Sequence, residues 1–310
     1  MPSLRISLFG KLKIQWRDEV AIHVESRRAQ ELLCYLLLYR DRMHEREKLA
    51  TVLWGDKGAT QAKRYLRQIL WQAQANLNAA AQEAEPLLLV AHERIGINPQ
   101  AAYWLDIAVL EQAFAQIEQI PGRELAKHQA ELLQKTVTLY TGDLLEDWYY
   151  DWCIYERERY QSMYLSILDK LLAYSEAQQT YEAGFAYGAQ ILRYDRAREQ
   201  THRQLMRLYY LAGDRTAALH QYEACVNALR EELNVEPAKS TIALYKKICA
   251  EQISRPMLAV EEANPHLAPS HVTELDTLHQ LEQVQTALAH LQTQVAQLIQ
   301  NLNQRTPYQI

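Results

Sequence analysis

Hydrophobic and polar residues alternate along the first 25 positions. Leu4, Ile6 and Leu8 alternate with Arg5 and Ser7, and Leu12, Ile14 and Trp16 with Lys11, Lys13 and Gln15. After a polar break at Asp18-Glu19, Val20, Ile22 and Val24 resume the pattern. A period of two with a polar turn predicts a small, half-buried antiparallel sheet. From Ser26, a suitable N-cap, the period changes: Ala29, Leu32, Leu33, Leu36 and Leu37 share one helical face through Tyr39. A second helix is predicted from about Glu45, burying Leu49, Val52 and Leu53 and ending at Gly55. Asp56-Lys57-Gly58-Ala59 is a short connection, and Thr60 is placed to cap a third helix from Gln61 to about Asn78. Leu87–Val90 and Ile95–Ile97 flank His92-Glu93-Arg94 as a hairpin. This is the element order of a winged helix-turn-helix. An unspecialised α+β domain with the same order is the alternative.

From Asp106 to about Ser254 the pattern is helical throughout. Ala183-Gly184, Gly188 and Ile191 are echoed 34 residues later by Ala217-Ala218, Tyr222 and Cys225. Thirty-four is the period of tetratricopeptide repeats, so a helical repeat array is preferred to a single bundle. The aromatic run Trp148-Tyr149-Tyr150-Asp151-Trp152 reads as helix-packing material, with a peptide groove as the other reading. Pro256, Pro265 and Pro269 mark residues 254–272 as a linker. Beyond it, Leu281, Leu288, Val295 and Leu302 occupy heptad position a, and Val284, Leu291 and Leu298 position d. These predict either a short coiled coil over 273–305, most simply pairing two copies of the chain, or one amphipathic helix folded back on the body. The expected fold is mainly α with a small β component. A winged-helix domain (1–105) precedes a tetratricopeptide-like helical domain (106–253), the linker (254–272) and the coiled-coil-like helix (273–305).

The third helix carries the candidate chemistry. On a helical wheel Ala62, Leu66, Ile69, Leu70, Ala73 and Leu77 form one apolar stripe. Opposite lie Arg64, Arg67, Gln68, Trp71 and Ala75, bordered by Lys63 and Gln74. Arg, Lys and Gln have the donor geometry for base edges and phosphates, and an outward tryptophan marks a contact surface. Thr60 and the free N–H groups at the helix start are placed to meet a phosphate. Arg94 in the hairpin is placed to enter an adjacent minor groove. The DNA-contacting set predicted is therefore Thr60, Lys63, Arg64, Arg67, Gln68, Trp71 and Arg94.

Composition narrows the alternatives. The net charge is −5 over 310 residues, but residues 1–105 hold fifteen basic and eleven acidic residues, hence +4, leaving −9 for the remainder. A mildly basic head on an acidic body indicates two tasks. The four cysteines, Cys34, Cys153, Cys225 and Cys249, are far apart, so neither a disulfide framework nor a structural metal site is expected, and a reducing cytoplasm fits. The longest apolar run, Leu32–Tyr39, is too short for a bilayer, and no export signal is read at the amino terminus. None of the nine glycines forms G-x-G, and G-x-S-x-G, H-E-x-x-H and the P-loop are missing. No enzyme, cofactor or catalytic residue is expected.

Taken together, the segments resemble the SARP-type bacterial transcriptional regulators, in which an OmpR/PhoB-like winged helix precedes a bacterial transcriptional activator (BTAD) domain. The resemblance rests on Leu8-Phe9-Gly10, on Arg27-Arg28-Ala29-Gln30-Glu31-Leu32-Leu33, and on Arg46-Glu47-Lys48-Leu49 running to Leu53-Trp54-Gly55-Asp56. It continues in Leu66-Arg67-Gln68-Ile69-Leu70, Arg94-Ile95-Gly96-Ile97-Asn98-Pro99 and Trp104-Leu105-Asp106. In the second domain it rests on Tyr140-Thr141-Gly142-Asp143-Leu144-Leu145, Trp152 with Glu156-Arg157, and Leu229 through Pro237. It spans about residues 3–252 and implies promoter binding by the third helix, with Leu87–Ile97 as the wing, and activation through RNA polymerase. One departure stands out: where relatives often place a basic stretch, this chain has Trp71-Gln72-Ala73-Gln74-Ala75-Asn76. Each lost phosphate contact flattens the salt dependence of log K by about 0.9. The function expected is a sequence-specific transcriptional regulator acting on double-stranded promoter DNA. The alternative is a protein–protein adaptor whose winged helix no longer binds DNA.

Overall fold

The computed structural model describes residues 4–16, 20–55, 58–80 and 85–251. Strands β1 (Leu4–Ser7) and β2 (Lys13–Trp16) pair antiparallel with Ile6 opposite Ile14, and β3 (Val20–Ala21) pairs with the far side of β2. Alternation has the expected result: Leu4, Ile6 and Ile14 are buried, and the polar residues between them are not. The Asp18-Glu19 break lies outside the described residues. A fourth strand arrives from almost a hundred residues away. β7 (Tyr103–Leu105) lies parallel to β1, with Leu4 opposite Tyr103 and Ile6 opposite Leu105. Three residues are too short a run for a period-two signal.

Three helices follow the first hairpin. α1 (Arg27–Leu38) starts where Ser26 Oγ accepts the Ala29 N–H at 3.4 Å. α2 spans Arg46–Trp54 and α3 spans Ala59–Ala80. Between α1 and α2 lies β4 (His44–Glu45), which joins β6 (Arg94–Ile97) on the edge opposite β5 (Leu88–Val90). The remainder is helical: α4 (Asp106–Ile117), a short 3-10 turn (Gly122–Glu124), α5 (Lys127–Val137), α6 (Asp151–Ala177), α7 (Tyr181–Tyr194), α8 (Glu199–Leu211), α9 (Arg215–Leu233) and α10 (Lys239–Cys249). The 34-residue echo is a real offset, since α7 starts at Tyr181 and α9 at Arg215. Gly188 is small because α8 comes close: a Cβ there would lie 2.5 Å from Leu205 Cδ2. The linker expected at 254–272 and the heptads expected at 273–305 lie outside the described residues.

α1 departs most from its one-faced reading. Glu31, Cys34, Tyr35 and Leu38 are buried along with the expected stripe. Part of the second face is covered by α6 and the segment before it. Tyr35 packs edge-on against Trp152 with ring centroids 5.5 Å apart, and Arg27 lies over the Trp148 ring at 4.2 Å. Arg27 also donates to the Asp147 carbonyl at 2.9 Å. Trp148 and Trp152 of the aromatic run thus pack against the amino-terminal α1, while Tyr149 between them is exposed.

The same seam is closed by backbone. Beyond β1 the chain pairs with the loop before α6: Gly10 N–H donates to Asp143 O at 2.8 Å and Leu145 N–H to Leu8 O at 2.9 Å. Arg157 holds that loop by donating to the carbonyls of Leu144, Leu145 and Trp148 at 2.7–2.9 Å. Beneath it Asp106, 1% exposed, accepts N–H groups from Leu8 (2.7 Å), Phe9 (2.9 Å) and Ile107 (2.8 Å). Burial pushes this carboxyl up to about 6, against the pull of the three donors.

The folded value stands above the unfolded one of about 3.9, so the native state holds an extra proton between those values. The contribution of Asp106 to stability is therefore fully present below pH ~4 and is lost, by about 3 kcal/mol, as pH rises through 6. Asp106→Asn removes this titration and turns an NH2 group toward an N–H donor, at a cost of about 1–3 kcal/mol. Urea denaturation should show wild type more stable than the variant at pH 4, with that advantage falling to zero or reversing by pH 6.5 and then level. A gap that widens with pH would contradict this account.

Candidate nucleic-acid interface

The turn between α2 and α3 is tight. Gly58 N–H reaches Gly55 O at 3.4 Å, Gly58 holds φ +77°, and its carbonyl accepts the Ala62 N–H at 3.0 Å. The left-handed backbone at that point is the conformation that favours glycine. α3 consequently starts at Ala59, two residues earlier than the expected Gln61. Thr60 lies inside its first turn rather than at the cap.

The apolar stripe of α3 is buried as the wheel places it: Ala62, Leu66, Ile69, Leu70, Ala73 and Leu77 are all below 6% exposed. Its neighbours are α1 and α2. Thr60, Lys63, Arg64, Arg67, Gln68 and Trp71 are all exposed. Trp71, at 70% exposed, stands out among the large side chains of the amino-terminal half. Arg64 and Arg67 pair with no described residue. Lys63 differs, because its ammonium pairs with Glu47 of α2 and holds that carboxyl below its ordinary range. One cation of the predicted set is thus partly neutralised, a contact across sixteen positions that no local spacing reveals. Val52, expected in the core, is 51% exposed on α2. Nine residues are too few for the apolar positions to fix one face unambiguously.

Arg94 opens β6 and is exposed. The hairpin tip is fixed against the start of α2, where Arg46 N–H donates to Glu93 O at 3.0 Å. His92 and Glu93 at the tip face each other at 2.9 Å, both largely in solvent. Gly96 lets the hairpin close on the preceding segment, since a Cβ there would lie 2.6 Å from Met43 Sδ.

Other signature residues serve the scaffold behind this face. Glu31 is buried, and its Oε2 accepts from Arg28 Nη1 at 3.0 Å and from Trp54 Nε1 at 3.3 Å, tying α1 to the end of α2. Burial raises its carboxyl above the usual range. Among the described residues no cluster of three or more His, Cys, Asp or Glu could hold a metal, and no helix is long and apolar enough to cross a membrane.

Residues 105–249 match the family model of the bacterial transcriptional activator domain. No curated protein matches the sequence. Among solved structures the chain is similar to that of Mycobacterium tuberculosis EmbR in complex with a low-affinity phosphopeptide, with 18% identity and a TM-score of 0.61. The likeness covers 82% of this chain and 66% of that one, and at this identity it shows the fold. The matched domain is one of transcriptional regulators rather than of an enzyme class. Residues 105–249 thus carry a bacterial transcriptional activator domain, in a chain that shares its fold with the EmbR structure.

Proposed function

We propose that the chain is a sequence-specific DNA-binding regulator, probing the major groove of promoter DNA with α3 and using the β5–β6 hairpin as a wing. Arg64, Arg67, Gln68 and Trp71 read or hold the duplex, Thr60 and Lys63 meet phosphates at the start of the helix, and Arg94 reaches from the hairpin. The helical part, residues 106–253, contacts the transcription machinery, with RNA polymerase the partner that the family implies, and the work takes place in the cytoplasm. The heptads of 273–305 pair two copies of the chain, raising the local concentration of a second DNA-reading head. One observation carries the reading: the outward face of α3 presents two guanidinium groups with no partner among the described residues beside an exposed tryptophan, while its apolar stripe is buried in the core.

A second reading, an adaptor that no longer binds DNA, is favoured by the exposure of Trp71 and Val52 and by the Lys63–Glu47 pair. Selection of bound fragments from a random DNA pool separates the two. With the selected duplex in hand, Arg64→Ala and Arg67→Ala should each weaken binding by about 1–3 kcal/mol if they make base contacts. A contact to phosphate would instead reduce the salt slope by about 0.9. Unchanged affinity in the double variant would remove α3 from the interface. An adaptor would ignore both changes and fail when Leu288 and Leu291 become Glu.

Glu47→Gln tests the charge balance of the same face. Releasing Lys63 should tighten DNA binding and steepen the salt slope by at most about 0.9, measured by anisotropy across a salt series.

A further inference from the structure

A cleft of about 450 Å3 opens between α8 and α10, on the helical part of the chain and on elements separate from α3. Its lining includes Arg203, Gln204, Arg207, Ala243, Leu244 and Lys247. Two of the three cations are already compensated. Arg203 lies 3.7 Å from Glu199 and donates to Thr241 Oγ1 at 3.1 Å, while Arg207 lies 2.7 Å from Glu176. The start of α10 is also filled, because Glu199 accepts the Ala238 N–H at 2.8 Å. Lys247 is exposed and pairs with no described residue. Gln204 Oε1 is buried and has no donor among the described residues. Among the described residues the cleft therefore has one cation without a carboxylate and one acceptor without an N–H donor, and it offers apolar contact at Ala243 and Leu244.

A nucleic-acid strand fits this balance poorly, since it brings a charge with every nucleotide and needs a run of free cations with stacking aromatics. A bare anion would leave both the apolar wall and the Gln204 oxygen unused. An extended peptide supplies all three needs: a carboxylate, an apolar side chain and backbone N–H groups. The terminal torsion of a glutamine is soft, so the amide can turn to meet such a donor.

We propose that the α8–α10 cleft binds an extended segment of a partner protein. That segment sets one carboxylate on Lys247, an apolar side chain against Leu244 and Ala243, and a backbone N–H on Gln204. The assignment is independent of the DNA reading, because it uses none of the residues on α3 or the hairpin.

The test is fluorescence anisotropy on the full chain with two labelled short peptides, one alternating leucine with glutamate and the other leucine with lysine. The glutamate peptide should bind saturably and the lysine peptide should not. Lys247→Glu should weaken the glutamate peptide by about tenfold or more, and Gln204→Leu should weaken it to a lesser degree. Affinity for the selected DNA duplex should stay unchanged in both. Because Lys247 is exposed, its variant keeps the test open even if the Gln204 variant folds poorly. Equal binding of the two peptides, or no effect of Lys247→Glu, would overturn the proposal. Displacement of the glutamate peptide by inorganic phosphate or by a single-stranded oligonucleotide would also overturn it, making the cleft a general anion site.

Discussion

The carboxylate of Asp106 sits where the first strand, the last strand of its sheet and the first helix of the matched domain converge. Its Oδ2 takes the N–H groups of Leu8 and Phe9, and its Oδ1 takes that of Ile107. A buried N–H left without a partner is costly, so these groups have few alternatives. Through them β1 is extended past its own hairpin, and residues 8–10 can pair with the loop at 143–146. That loop is in turn held by Arg157 through three carbonyls. The amino-terminal sheet and the helical part share one hydrophobic core as a result, running from Ile6 and Leu33 to Tyr160 and Leu172.

The seam also fixes α3, the helix proposed to meet DNA. α1 forms part of the surface on which α3 rests, and α1 itself is gripped on its other side by Trp148 and Trp152. The orientation of α3 is thus referred to the helical part through packed side chains rather than through a flexible tether. Rigid support of this kind is what a recognition element requires, since a fixed helix holds its side chains in one geometry. The signature residues Arg28, Glu31 and Trp54 belong to the support and not to the outward face of α3. A motif shared across a family can therefore identify the fold while leaving binding specificity to residues outside it.

Legibility in the sequence followed signal length. α3 has 22 residues, and its six-residue apolar stripe was predicted position by position, as were the exposed Arg64, Arg67, Gln68 and Trp71. Ser26 as the cap of α1 and the β5–β6 hairpin were equally plain. Short elements were not: β4 has two residues and β7 three, and each gains its place only by pairing with a distant strand. Thr60 and Val52 were misplaced for a related reason, since a turn glycine and a nine-residue helix leave the register free by a residue or a face.

What the chain determined by itself was therefore everything encoded by repetition. The strand alternation, the helical stripes, the 34-residue echo and the basic bias of the first third all follow from side-chain periods and charges that act locally. Tertiary structure alone decided the second buried face of α1, the parallel strand β7, the neutralising contact from Glu47 to Lys63 and the cleft between α8 and α10. Each of these joins residues too far apart in sequence for any local period to relate them. They exist because burial of apolar surface and satisfaction of backbone donors are conditions on the whole fold.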